Sequence, residues 1–105
     1  MIYWVVMKMK IDELQDKQGK VNIDLKIIWD NAEPKEMFGK KIKTVLVADA
    51  ESEQGDNSPT AYLDLIGDNI TKFKHMDKIR VIDAYSKLRN NGQFWIVNAS
   101  KITKI

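Results

Sequence analysis

Ala61-Tyr62-Leu63-Asp64-Leu65-Ile66-Gly67-Asp68-Asn69-Ile70-Thr71-Lys72-Phe73 changes its period halfway along. Ala61, Leu63 and Leu65 alternate with Tyr62, Asp64 and Ile66, the two-residue repeat of a strand with one face in a core. Gly67 stops that repeat. Beyond it Ile70 and Phe73 stand three apart, the apolar side of a short helix that Asp68 or Asn69 is placed to cap. The segments on either side of this strand-then-helix unit decide the architecture.

Upstream, Val21, Ile23, Leu25 and Ile27 alternate with Asn22, Asp24 and Lys26, which predicts a half-buried strand. A second strand is expected over Lys41–Val47, where Ile42, Thr44, Val45 and Val47 are β-branched, ending at Ala48-Asp49. The stretch from Glu51 to Pro59 is polar, rich in turn formers and without apolar periodicity, hence a loop. Downstream, strands are expected over Lys78–Lys87 and Gln93–Asn98. Asn90-Asn91-Gly92 lies between them, a hairpin signal because Asn and Gly tolerate positive φ. The order is three strands, one short helix, and a two-strand hairpin.

A flat sheet of such strands would leave exposed edges, so a closed barrel is favoured. A helix between strands three and four is the placement used by the OB-fold, where it plugs one end of the barrel; an SH3-like barrel would lack it. The expected fold class is therefore all-β with one short helix, a five-stranded OB-fold barrel over residues 11–105. Residues 1–10 form an N-terminal β-prone extension: Met1–Met7 is apolar and nearly uncharged, and Lys8 and Lys10 flank it as gatekeepers. It could add a strand, cover a barrel edge, or form a subunit contact.

Composition removes several classes of function. The 105 residues suit one domain, with 44% hydrophobic and 30% charged residues, as in ordinary globular proteins. There are no cysteines, which excludes a disulfide framework, a thiolate nucleophile and Cys-ligated metal. His75 is the one histidine, so a multi-histidine metal site is impossible. The five glycines are scattered and form no phosphate-cradling motif. No cofactor and no enzymatic activity are expected. The apolar run Ile2–Met7 is far shorter than the ~20 residues that span a bilayer, so the expectation is a cytoplasmic protein without a membrane partner. The net charge of +2 is too small to attract polyanions in bulk, and any nucleic-acid site must come from local segregation of charge.

Segments of the chain resemble the archaeal and human-type single-stranded DNA-binding proteins, simple OB-fold relatives of replication protein A. Gly19-Lys20-Val21-Asn22-Ile23-Asp24-Leu25-Lys26-Ile27 resembles their opening strand, and Leu63-Asp64-Leu65-Ile66-Gly67-Asp68 their third strand and its exit. Lys78-Ile79-Arg80-Val81-Ile82-Asp83-Ala84-Tyr85 resembles the fourth, and Gly92-Gln93-Phe94-Trp95-Ile96 the hairpin return. The order and spacing of these motifs, from about Ile11 onward, carry the likeness. Three positions depart from the family: Ile66 replaces a tryptophan, Leu88 or Arg89 an aromatic of the last hairpin, and Met76 a turn glycine.

Sequence-tolerant binding of a single strand needs flat rings for bases and cations for phosphates. Strand parity points Trp95 outward between Phe94 and Ile96, where it has no core role. The resemblance places it on the binding face near Tyr85, which occupies a family aromatic position. The plainer readings are that Trp95 covers the barrel or packs on the extension, and that Tyr85 is a rim residue. Phe38, beside Lys40, Lys41 and Lys43, suits either a clamp on nucleic acid or a loop anchor folded back on the barrel. Those lysines, with Lys87 and Arg89, are expected on the two loops that border the OB groove, while Lys72, Lys74 and Lys78 are expected to be remote and solubilising. Trp29 ends the inward parity of strand one and reads as core or barrel rim. Ile66 would supply apolar contact where relatives stack a ring. The expected partner is single-stranded DNA, with RNA as an alternative, in replication, recombination or repair in an archaeon. The rival is a protein-interaction OB module contacting replication or repair proteins.

Overall fold

The computed structural model describes residues 9–52, 59–99 and 101–105. The upstream alternation becomes β1 (Gln18–Trp29), and the β-branched run becomes β3 (Lys40–Asp49), preceded by a short β2 (Lys35–Met37). The quoted unit becomes β4 (Thr60–Ile66) and the one-turn helix α1 (Asn69–Lys72). β5 (Lys78–Leu88), β6 (Phe94–Val97) and β7 (Lys101–Lys104) complete the chain.

Five of these strands close a ring. β1 pairs antiparallel with β3 and β3 with β4. β4 runs parallel to β6, β6 returns antiparallel to β5, and β5 pairs antiparallel with β1. Closure removes the sheet edges that such apolar strands would otherwise expose. β2 and β7 lie outside the ring, paired to β3 and β5.

Alternation puts one side of every ring strand inside. Val21, Ile23, Leu25 and Ile27 of β1, Val45 and Val47 of β3, Ala61, Leu63 and Leu65 of β4, Ile79 and Val81 of β5 and Ile96 of β6 are each at most 1% exposed. Phe73, just past α1, is buried in the same cluster with Ile70 packed against it, so the helical segment contributes to the core as its spacing predicts. Ser86 is the buried polar side chain among the described residues; its Oγ donates to the Gln15 carbonyl at 2.7 Å, so the hydroxyl is satisfied.

Curling the long β1–β5 ribbon requires breaks in register. These fall between Gln18 and Val21 and between Val21 and Ile23. Lys20 (φ 55°) and Asp83 (φ 59°) take left-handed backbone there, and the Asp83 N–H donates to Asn22 Oδ1 at 3.0 Å. Such bulges raise local twist and let a sheet bend into a barrel.

Some local expectations are corrected. β2 and β7 are strands that alternation did not reveal: β2 has three exposed residues, and β7 buries Ile102 alone. Asp68 occupies the N-cap of α1 without a side-chain cap bond, because its backbone is helical (φ −62°, ψ −24°) rather than extended. At the β5–β6 turn only Gly92 is left-handed (φ 80°); Asn91 is not, and the turn is closed by Arg89 N–H to Gln93 O at 3.0 Å. Met76 has φ 76°, so the position where the resembled family has glycine makes the backbone demand that glycine meets.

Most of the extension lies outside the described residues. Its described end is Met9, which forms a parallel bridge to Ile23 and packs on the core. Ile11 and Leu14, in and just after a short 3-10 turn, are buried. Glu53 and Asp56 of the polar loop also lie outside the described residues.

Candidate functional site

The outer face of the ring is organised in rows by strand register. Trp29 stands opposite Leu46, Leu46 opposite Tyr62, Tyr62 opposite Trp95, and Trp95 opposite Lys87. One row thus crosses β1, β3, β4, β6 and β5. Neighbouring strands lie about 4.8 Å apart, so the row runs roughly 19 Å as a path around the ring. Two shorter rows lie beside it on β3 and β4: Thr44 opposite Asp64, then Ile42 opposite Ile66.

Within the long row the Tyr62 and Trp95 rings have centroids 4.9 Å apart at 36° to each other. The Arg89 guanidinium carbon stands 5.0 Å from the Trp95 ring centroid. Arg89 comes from the β5–β6 turn, and Leu88, Arg89, Asn90, Asn91 and Trp95 line an open cleft there. Trp95 therefore neither floats free nor enters the core: one neighbour is another ring and the other a cation, a cation–π arrangement on a surface platform.

Trp29 is the largest departure from strand parity. Simple alternation after Ile27 sends it inward, but the β1–β3 register shifts between Ile27 and Trp29. The bulge brings Trp29, which is 41% exposed, opposite outward-facing Leu46. The expectation of a core residue is corrected, its place as the last residue of β1 accords with a rim position, and the row gains a ring at its β1 end.

The other expected site residues are distributed as follows. Tyr85 faces outward on β5 opposite Val97, with its ring beside Gly19. Phe38 and Gly39 form the two-residue turn between β2 and β3, with φ 52° and 76°, the left-handed pair of a tight hairpin. Phe38 is 96% exposed and does not fold back on the barrel. Lys40, Lys41 and Lys43 belong to β3, and Lys87 to β5; of the five expected loop cations only Arg89 is in a loop. Lys40 shares the outward parity of Ile42 and Thr44. Lys41 and Lys43 take the alternate positions, Lys43 in register with inward Leu65.

A second open depression lies at the far end of β4, lined by Lys40, Ile66, Asp68, Asn69, Lys72 and Asn98. Lys72, expected to be remote, shares it with Lys40 and Ile66, because Gly67 turns the chain so tightly that α1 begins beside the end of the strand. Lys74 does not line it.

Asp64 is the one carboxylate in the middle of the face. It is half-buried, and its Oδ1 accepts the Thr44 hydroxyl proton at 2.7 Å. Burial pushes its carboxyl above the ordinary 3.8, while the Thr44 hydrogen bond and the nearby Arg89 and Lys87 charges pull partly the other way. Away from this face, burial also raises Asp49, whose carboxylate accepts the Ile11 N–H at 2.9 Å, and Arg80 pairs with Asp24 at 2.9 Å. His75 is exposed, its backbone N–H donating to Asp30 at 3.0 Å. Among the described residues no group of three or more His, Asp or Glu side chains is placed to hold a metal, and no helix is long and apolar enough to cross a membrane.

No protein-family model and no curated protein sequence matches the chain. Among solved structures it is similar to Schizosaccharomyces pombe Pot1pC bound to the single-stranded DNA CGGTTACGGT, with a TM-score of 0.60 and 11% identity. The match covers 93% of this chain and 86% of that one. The fold is an OB-fold. A likeness at this identity carries architecture only, and the side chains that would do chemistry are this chain's own.

Three site residues escape a reading of sequence. Tyr62 was legible as outward but without a partner, since only the parallel β4–β6 register brings it to Trp95. Trp29 was hidden by a bulge. Lys72 was hidden by the tightness of the Gly67 turn, where the glycine (φ 60°) was the available signal.

Proposed function

We propose that this OB-fold domain binds single-stranded DNA with little sequence preference. The observation that carries the reading is the row Trp29–Leu46–Tyr62–Trp95–Lys87, three rings and a cation crossing the barrel. Stacking on such rings contributes about 1–3 kcal/mol per base and tolerates any base, because every base has a π-face. Tyr85 adds a ring beside the row, and Ile66 with Ile42 gives apolar contact where relatives of the resembled family stack a tryptophan. Lys87 and Arg89 at one end, and Lys40 and Lys72 at the other, would meet phosphates. Lys41 and Phe38 would act from the hairpin side, and Lys43 would add positive charge from the alternate parity. The row's length suits the low end of the ~4–16 nucleotides typical of one OB domain.

The bound strand in the Pot1pC structure supports the reading, as does the sequence resemblance to archaeal and human-type single-stranded DNA-binding proteins. A setting in replication, recombination or repair, close to the nucleoid, accords with it. So does a binding rather than a catalytic role. A second reading, an OB module that contacts a protein, is favoured by the exposed hairpin tip, where Met37 is 48% and Phe38 96% exposed.

The test is tryptophan fluorescence during titration with oligo-dT, at low salt and at ~200 mM. Lys40, Lys72, Lys87 and Arg89 predict affinity falling as salt to about the −2.8 power, at roughly 0.7 per phosphate contact. A parallel oligo-rU titration ranks RNA against DNA. Absence of quenching and of any mobility shift at high micromolar DNA refutes the proposal in favour of a protein partner.

A further inference from the structure

We infer that Asp64 reads a base edge: it favours a nucleotide with an exocyclic amino group over thymine or uracil at one position of an otherwise sequence-tolerant path. The inference rests on the single-strand reading of the same face.

A carboxylate amid a phosphate-binding surface needs a reason. Ionised, it accepts hydrogen bonds and donates none, and it repels phosphates. Asp64 is two residues beyond Tyr62 on β4, so it lies roughly 6.6 Å along the strand from the ring row. A base stacked on Tyr62 and Trp95 extends its edge over that distance. The turn that carries Arg89 leads into β6, which runs parallel to β4 and pairs Trp95 with Tyr62. The cleft of Leu88, Arg89, Asn90 and Asn91 therefore lies on the β4-entry side of the row, and Asp64 on its exit side. Cations stand on both sides of this stretch, Arg89 at the entry and Lys40 and Lys72 beyond Ile66, so phosphates drawn to either end leave a base edge over Asp64 between them.

The carboxylate is already oriented. Thr44 holds Oδ1 at 2.7 Å, and among the described residues Asp64 has no ion pair within 4.0 Å. Lys87 and Arg89 act on it only at longer range. Oδ2 therefore still has acceptor capacity for an N–H from the ligand. The amino groups of cytosine, adenine and guanine are such donors, and a carboxylate accepting from cytosine N4 is an established pairing. Uracil and thymine present a carbonyl oxygen at that place, acceptor against acceptor.

Two homopolymers of about 15 nucleotides, deoxycytidine and deoxyuridine, isolate the edge, since their rings are of equal size and neither carries the thymine methyl group. Tryptophan quenching at neutral pH should show the wild-type chain binding deoxycytidine roughly tenfold more tightly, the scale of one base-edge contact. Asp64→Asn keeps the Thr44 hydrogen bond on Oδ1 and puts an amide donor where Oδ2 stood, so it should abolish or reverse the ratio, weakening deoxycytidine binding and strengthening deoxyuridine binding. Equal wild-type affinities, or a preference that survives in Asp64→Asn, overturn the inference and leave single-strand binding standing. Failure of both oligomers to bind overturns the two together.

Discussion

Replacing Trp95 with alanine tests the aromatic row where it is best defined. The ring has the Tyr62 ring at 4.9 Å and the Arg89 guanidinium at 5.0 Å as neighbours. Loss of the ring pair costs the fold about 0.5–1.5 kcal/mol, and loss of the cation–π contact about 0.5–1 kcal/mol at a surface site. Against the roughly 5–15 kcal/mol of a domain, the variant remains folded at 25 °C. Binding should suffer more visibly. One stacked base is worth about 1–3 kcal/mol, which is about 5- to 140-fold in Kd. The assay is the anisotropy of a labelled dT oligomer at low salt, which does not depend on Trp95 as a reporter. Trp95→Phe, which retains a ring opposite Tyr62, should recover most of the loss. An alanine variant that melts cooperatively and binds within twofold of wild type would refute the stacking argument.

Trp29→Ala should also weaken binding, by several-fold, whereas a core tryptophan would lower the melting temperature and leave the Kd of the folded fraction unchanged. Lys72→Ala should make the salt slope shallower by about 0.7, and Lys74→Ala should leave it unaltered; equal slopes in the two variants would remove Lys72 from the phosphate path. Met76→Gly should raise stability by about 1 kcal/mol, since a left-handed residue that is 48% exposed loses strain and little packing. In thermal melts that is an increase of roughly 4–6 °C, and a decrease would disprove the strain assignment. The Asp64 carboxyl is raised in the fold, so its stabilising contribution is complete below the ordinary 3.8 and is lost as pH rises through the folded value. Asp64→Asn should accordingly melt above wild type at pH 7, with the gap closing as pH falls below that ordinary value; a constant gap would contradict the burial argument.

The barrel was legible because β1 and β4 obey alternation: Val21, Ile23, Leu25 and Ile27, and Ala61, Leu63 and Leu65, are the inward sets the sequence shows, whereas β3 turns apolar Ile42 and Leu46 outward. Gly67 and the Ile70–Phe73 spacing located the helix for the same local reason. The site was less legible because it depends on which strands lie side by side. Nothing near Tyr62 in sequence indicates Trp95, 33 residues away, and their meeting is a product of the parallel β4–β6 register. Trp29 fails differently: one extra residue in a bulge reverses the face of every residue beyond it, so parity counted from Ile27 gives the wrong side. Lys41, Lys43 and Lys87 already lay at the ends of expected strands, and β2, too short to show a pattern, makes a hairpin with β3 that brings Lys40 into strand as well.

The ring is sealed by β1 against β5, where Gln18 meets Ser86 and Lys26 meets Lys78. These contacts join segments far apart in the chain, and all the intervening residues must be restrained before the contacts can form. A topology dominated by such distant pairings folds on the millisecond-to-second scale rather than in microseconds. Until that closure, the apolar sides of β1 and β5 are open to other chains. The aromatic row shares this non-local character: its Tyr62–Trp95 step joins residues 33 apart and exists only once β6 has docked beside β4.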